Sequence, residues 1–178
     1  MGVGFVHGVM NTDNMLVSGE TIDYGPCAFM DEYNPSIYFS SIDKHGRYSY
    51  KNQPAIMIWN LSKLAEAFIP LVDKNREKAV LKLSEVLNLV MPTYQEYFYI
   101  EMSKKFGLKN VDQEVMNLIN NYLKILMDNS VDFVLSFRDL GKLLSDNKKI
   151  DDTVFKNVKN FNNWYFEFLN LLSLKKLT

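Results

Sequence analysis

Residue 54 divides this sequence into two textures, and that division constrains the fold more than any single motif. From Pro54 onward, apolar residues recur at three- and four-residue intervals, the spacing that lines one face of a helix. Trp59, Leu64, Ala65, Phe68, Leu71 and Val72 form a first stripe, and Ala79, Val80, Leu83, Val86, Leu87 and Val90 a second. Pro92 suits the first turn of a new helix, so the next is expected over 92–106, stopping at Gly107. Asp112 is placed to cap a helix carrying Val115, Leu118, Ile119, Tyr122 and Leu126, and Ser130 another running through Leu144. After the polar connector SDNKKIDD, the stretch 151–172 carries Phe155, Phe161, Trp164 and Phe168.

Before residue 54 the texture is different. NMLV and ETID flank Ser18-Gly19, a two-residue turn signal, and predict a small hairpin. A long aperiodic stretch follows, rich in Gly, Pro, Asn, Ser and Tyr, in which Tyr33, Tyr38, Phe39, Tyr48 and Tyr50 are available for packing. The expected fold is therefore mainly α with a small β-hairpin, an α+β arrangement of five or six helices. Residues 1–178 are read as one domain fragment, with the hairpin and long loop over 1–53 and a helical subdomain over 54–172.

Composition removes several function classes. With 20 basic and 21 acidic residues, the chain has no long-range pull toward nucleic acid or an anionic membrane. The lone Cys27 excludes an internal disulfide and fits a reducing compartment. With two histidines besides, a structural zinc site is not expected. No run of 18 uninterrupted apolar residues occurs, and the start MGVGFVHG lacks the basic region and apolar core of a signal peptide. A cytoplasmic protein with no membrane partner is the expectation.

The chemistry is concentrated near the start, in HGVMNTDN at 7–14 and IDYG at 22–25. Nucleotide phosphate chemistry needs a divalent cation to neutralise oxygens as charge redistributes, and Mg2+ takes few side-chain oxygens alongside phosphates and water. Asn14 and Asp23, joined by the predicted hairpin, are candidates for that pair. Gly25 after the Asp-Tyr step parallels the kinase Asp-Phe-Gly turn. A kinase-type loop runs His-Gly-Asp with an Asn five residues after the Asp, but here Val9 stands at the Asp position. Valine accepts no proton, and Asp13 is the nearest carboxylate that could. Two readings stand at this point: a kinase-like metal site, or a hairpin with incidental turn-type Asn and Asp residues.

The string GFVHGVMNTDNM, followed by IDYGP, resembles the selenoprotein O family, which has a protein-kinase-like fold. GRY at 46–48, QP at 53–54, WNL at 59–61 and LA at 64–65 extend the likeness, and looser similarity continues through Phe161–Trp164. Members of that family are pseudokinases that bind ATP in a flipped orientation and transfer AMP to Ser, Thr or Tyr of proteins. The resemblance implies that Asp13 is the proton acceptor. It implies that Asn14 and Asp23 hold Mg2+ or Mn2+, with Asp23 also near the nucleotide phosphates. It further implies a kinase-like C-lobe portion whose N-lobe, a packing partner, is missing, so that ATP and protein substrates are handled by the complete protein. A fragment inactive alone is the expectation. The alternatives are phosphoryl transfer with Asp13 as relocated base, or a non-catalytic helical binding or structural fragment.

Other residues carry plainer expectations. His7 is expected to organise its loop, Trp59 to lie in the core, and Arg138 to join a buried or half-buried ion pair. Glu20, Asp31, Glu32 and Asp43 are expected to be solvated, Arg47 to anchor the long loop through charge-assisted hydrogen bonds, and Cys27 to be an inert buried thiol.

Overall fold

The computed structural model describes residues 1–21, 24, 27–145 and 149–175. It is mainly helical, with one small two-stranded antiparallel sheet. The strands are β1 (Phe5–Val6) and β2 (Ala28–Phe29), and the helices are α1 (Gln53–Val72), α2 (Arg76–Lys105), α3 (Gln113–Asp128), α4 (Phe133–Ser145) and α5 (Phe161–Lys175). The hairpin expected around Ser18-Gly19 is corrected: residues 14–21 form no strand, although the turn itself exists. Gly19 sits at φ +73° and its N–H donates to Leu16 O at 3.1 Å. Leu16 and Val17 are exposed, and Ile22 and Asp23 of the expected second strand lie outside the described residues.

Contacts divide the chain into two compact units that do not follow the change of texture at Pro54. One comprises Met1–Phe5, Phe29–Pro35 and Tyr97–Thr178; the other comprises Val6–Ala28 and Ser36–Glu96.

The first unit is an aromatic core. Trp164 of α5 lies 4.5 Å from the Tyr122 ring of α3 and donates its indole N–H to Leu118 O at 2.9 Å. Phe106 meets Tyr122, Phe137, Trp164 and Phe168 edge-on, while Phe155 stacks on Phe161. Local signals bound most of these helices. Asp112 Oδ1 accepts from Val115 N at 3.0 Å, and Gly107 at φ +68° ends α2 with Leu108 N donating to Ser103 O. Segment 29–35 is tied to this unit by Phe133 N donating to Asp31 O and Tyr33 N to Val131 O. Gly4, at φ +75°, packs so closely on Met30 and Phe133 that a Cβ would lie 3.0 Å from each.

Three boundary expectations need correction. Pro92 does not open a helix but lies inside α2, giving up one backbone bond to Asn88. Ser130 is not the cap of α4: it sits at φ +51°, and Asp132 Oδ1 caps instead, accepting from Leu135 N at 2.7 Å. The helix expected over 151–172 begins only at Phe161, because Asn157 and Asn160 take positive φ and break it. Arg138 does join a half-buried ion pair: its Nε lies 3.8 Å from Oδ1 of the buried Asp139, although its own side chain is 59% exposed and Asp139 is also held by Lys142 Nζ at 3.0 Å and Val154 N at 3.1 Å.

The second unit contains loop 6–28, the long loop from Ser36 and the helices α1 and α2 as far as Glu96. Only Gln53, Pro54, Ile56 and Asn60 of α1 are buried, while Phe68 and Leu71 are exposed, as are Leu81, Val86 and Leu89 of α2. The stretch Tyr50–Val72 is long and apolar enough, by length and composition alone, to cross a membrane. Its middle carries a Lys63–Glu66 ion pair at 2.7 Å and the buried Asn60.

Candidate active site

The loop 7–14 is held by polar bonds at His7, Val9, Met10, Asn11 and Asn14. Gly8, at φ +83°, turns the chain back after β1, and Val6 and Met10 bury their side chains on either side of that turn. His7 organises the loop, as expected. Val9 N donates to His7 Nδ1 at 3.3 Å, and Nε2 lies 3.3 Å from Asn14 O, a pattern that fits the tautomer protonated at Nε2. Val9 contributes its backbone: its carbonyl accepts from Asn14 Nδ2 at 3.0 Å. Thr12–Asn14 then form a single 3-10 turn.

This turn presents the two candidates it contains. Asp13 is exposed, and among the described residues no hydrogen bond or ion pair reaches its carboxylate. Asn14 spends Nδ2 on Val9 O, which leaves Oδ1, the atom a hard cation would use, as its remaining acceptor. Asp23, the third candidate, lies outside the described residues together with Ile22, Gly25 and Pro26. Among the described residues, no group of three or more His, Cys, Asp or Glu could hold a metal.

Three residues of two further segments, the long loop and α1, support the loop. Gln53 Oε1 accepts from His7 N at 2.9 Å, Asn60 Nδ2 donates to Met10 O at 2.9 Å, and the Tyr48 hydroxyl donates to Asn11 Oδ1. None of these partners was legible from local spacing, since the contacts span 37 to 50 residues. The one signal that touched them was the set of short strings GRY, QP and WNL, which contain Tyr48, Gln53 and Asn60.

The long loop is organised by Asp43, and the expectation of a solvated carboxylate there is corrected. Asp43 is 7% exposed and accepts from Arg47 N at 2.9 Å and Tyr48 N at 2.8 Å. Burial pushes its carboxyl upward, but the backbone N–H groups of Tyr48, Arg47, His45 and Gly46 outweigh it and hold the group below its ordinary range. Arg47 anchors differently from the expectation. Its guanidinium lies 4.9 Å from the Trp59 ring centroid, with Lys63 on the same ring at 5.7 Å. Trp59 is correspondingly not core but 42% exposed. Cys27 is half-buried, its thiol donating to Tyr24 O at 2.9 Å, and Glu20 is exposed. In the other unit, a cleft of about 360 Å³ is lined by Asn129, Ser130, Asp132, Lys156 and Asn157 among others, none of them from the 7–14 loop.

A braced polar turn that offers one carboxylate and one amide oxygen to solvent defines a broad class of acceptor sites and no particular reaction. Comparison with known proteins narrows that class. The family profile described as "Protein adenylyltransferase SelO" matches residues 1–177, and the chain belongs to the SelO family. It is 48% identical over 148 residues to "Protein nucleotidyltransferase YdiU" of Maridesulfovibrio salexigens, covering 83% of this chain and 30% of that protein. The protein of the same name from Rhizobium etli is 43% identical over 173 residues, covering 96% of this chain and 35% of the relative. That from Bradyrhizobium diazoefficiens is 49% identical over 144 residues, with 81% and 29% covered. These relatives are named nucleotidyltransferases, and the chain spans about a third of their length.

Proposed function

We propose that this chain carries the metal-side and proton-accepting part of a protein adenylyltransferase, which moves AMP from ATP to a Ser, Thr or Tyr hydroxyl. The observation that carries this reading is the 3-10 turn. Asp13 and Asn14 stand exposed on a loop braced by His7, while Val9, at the position of a kinase base, has no group to offer. In the reaction, the substrate hydroxyl oxygen forms a bond to the α-phosphorus and its proton passes to the Asp13 carboxylate. The bond from the α-phosphorus to the bridging oxygen breaks, and pyrophosphate leaves with the electron pair. Asn14 Oδ1 and Asp23 would hold Mg2+ or Mn2+, with Asp23 also near the nucleotide phosphates. The ion supplies charge neutralisation at the phosphate oxygens. Asp13 contributes by facing solvent with no partner among the described residues, so an incoming hydroxyl meets an open acceptor.

On this reading the helices belong to the C-lobe of a protein-kinase-like fold. The cations that grip the triphosphate lie in the part of the relatives' length that this chain does not span. ATP and protein substrates are then partners of the complete protein, which works in the cytoplasm; the single, half-buried Cys27 is consistent with that compartment.

The test is label transfer in the full-length protein that carries these residues. Label from α-labelled ATP should appear on protein and label from γ-labelled ATP should not. Asp13→Ala should lower the rate by about 10²- to 10⁴-fold, the usual range for a lost general base. Transfer of γ label would establish phosphoryl transfer in its place, and undiminished transfer by Asp23→Ala would remove Asp23 from the metal.

A further inference from the structure

We propose that Gln53 and Asn60 are positioning residues for the AMP transfer above, fixing where Asp13 and Asn14 present their oxygens; the proposal rests on that reading. The two amides lie seven residues apart on α1, two helical turns, and so share one face. Both are buried, at 7% and 6% exposure. Each spends its side chain on loop backbone. Gln53 Oε1 takes the His7 N–H, and Asn60 Nδ2 reaches the Met10 carbonyl, both at 2.9 Å.

These bonds bracket residues 7–10, the stretch that turns at Gly8 and leads into the 3-10 turn. Residues 11–14 are all exposed, and just beyond them the half-buried Met15 places its Sδ 2.6 Å from the same Asn60 Nδ2. The placement of residues 11–14 therefore descends from the bracket through short polar links. The Tyr48 hydroxyl holds Asn11, Asn14 N donates to Asn11 O at 3.1 Å, and Asn14 Nδ2 returns to Val9 O. A shift of the loop along α1 would strand the buried Gln53 acceptor and Met10 carbonyl without partners.

Asn60 adds a second sign. It is a buried amide in mid-helix whose Oδ1 has no hydrogen-bond partner among the described residues. For stability alone a leucine would serve better there, so the worth of the residue lies in its donor.

The two amides play opposite parts, acceptor and donor, and that gives a test a mere space-filling role would not pass. Gln53→Glu keeps an acceptor for the His7 N–H and adds a negative charge at a helix N-terminus, whose dipole offsets part of the cost of burying it. Asn60→Asp has nearly the same shape but loses the donor and sets an oxygen against Met10 O. In the full-length protein, Asn60→Asp and Gln53→Met should lower kcat for AMP transfer by about 30-fold or more, with KM for ATP within about threefold. Gln53→Glu should stay within about threefold of wild type in both. Equal effects of all three, no effect of any, or losses in KM alone would overturn the proposal. Should Asn60→Asp not fold, Asn60→Leu removes the same donor.

Amide exchange separates this proposal from the one beneath it. In the present chain, the His7 N–H should exchange slowly in wild type and Gln53→Glu, and faster in Gln53→Met. Absence of AMP transfer by the wild-type protein would sink the adenylyltransferase reading while the exchange pattern still decides whether α1 holds the loop. An unprotected His7 N–H in wild type would overturn the clamp whatever the activity.

Discussion

The two compact units are held by different forces. Around α3 and α5, rings interlock: Tyr122, Phe155, Phe161, Trp164 and Phe168 are all but fully buried. In the other unit, residues 7–14 and the loop from Ser36 depend on directional polar bonds, from Gln53, Asn60, Tyr48 and Asp43 to backbone or side chain. Burial is insensitive to direction, so an aromatic core tolerates small rotations of its helices. Hydrogen bonds fix direction, which suits a loop that must aim two oxygens. The second unit also leaves Leu71, Leu81, Val86 and Leu89 uncovered, so its helices supply a frame more than a core.

The largest break in this comparison should come from the ring cluster. Trp164→Ala removes a buried indole together with its bond to Leu118 O, and should destabilise the first unit by about 3–5 kcal/mol in urea unfolding. Leu71→Ala is the matched probe of the other unit, and at 78% exposure it should change stability by no more than about 0.5 kcal/mol. A cost above about 2 kcal/mol at Leu71 would mean that this face is covered in solution, and the contrast would collapse.

How much of each unit could be read in advance follows the same line. The Asp112 cap, the Gly107 stop and the helical stripes of α3 are local signals, written within four residues of where they act. Local signals also misled. Pro92 looks like a helix start, but the surrounding 30-residue helix absorbs it. Nothing nearby announced that Asn157 and Asn160 would take positive φ, although Asn is one of the few residues that does so readily. At the site, Asp13 and Asn14 were legible because the motif is contiguous. What holds them was not, since a bond from Asn60 to Met10 spans 50 residues and leaves no periodic trace. Trp59 was expected in the core because aromatic bulk reads as core; Arg47 and Lys63 over its ring keep it at the surface.

Asp43 offers an intermediate test, aimed at the polar unit. Asp43→Ala should cost about 1.5–3 kcal/mol, because hydrogen bonds from Arg47 N and Tyr48 N to a charged acceptor are lost. The folded-state pKa is lowered, so the folded protein holds the ionised form more strongly than the unfolded chain does, whose reference is about 3.9. The stabilisation is therefore fully present above that reference and is lost as pH falls through the folded value. Urea midpoints of wild type and Asp43→Asn should differ by a constant amount from pH 7 to 5 and converge at more acid pH. A gap that persists undiminished into strong acid would assign the effect to shape, not to charge.

The smallest expected effect lies at the centre of the aromatic unit, where the comparison is finest. The Tyr122 ring is fully buried, and its hydroxyl has no partner of acceptable hydrogen-bond geometry among the described residues. Burial pushes the phenol far above its ordinary range, with Ser136 drawing it back slightly and Asp139 adding to the rise. A buried hydroxyl with no partner contributes nothing that offsets its desolvation, so removing it relieves a cost while keeping every ring contact. Tyr122→Phe should leave stability unchanged or raise it by up to about 1 kcal/mol, read as the shift in urea midpoint. A loss of more than about 2 kcal/mol would show that Ser136 bonds this hydroxyl in solution, and that the ring cluster too relies on direction at its centre.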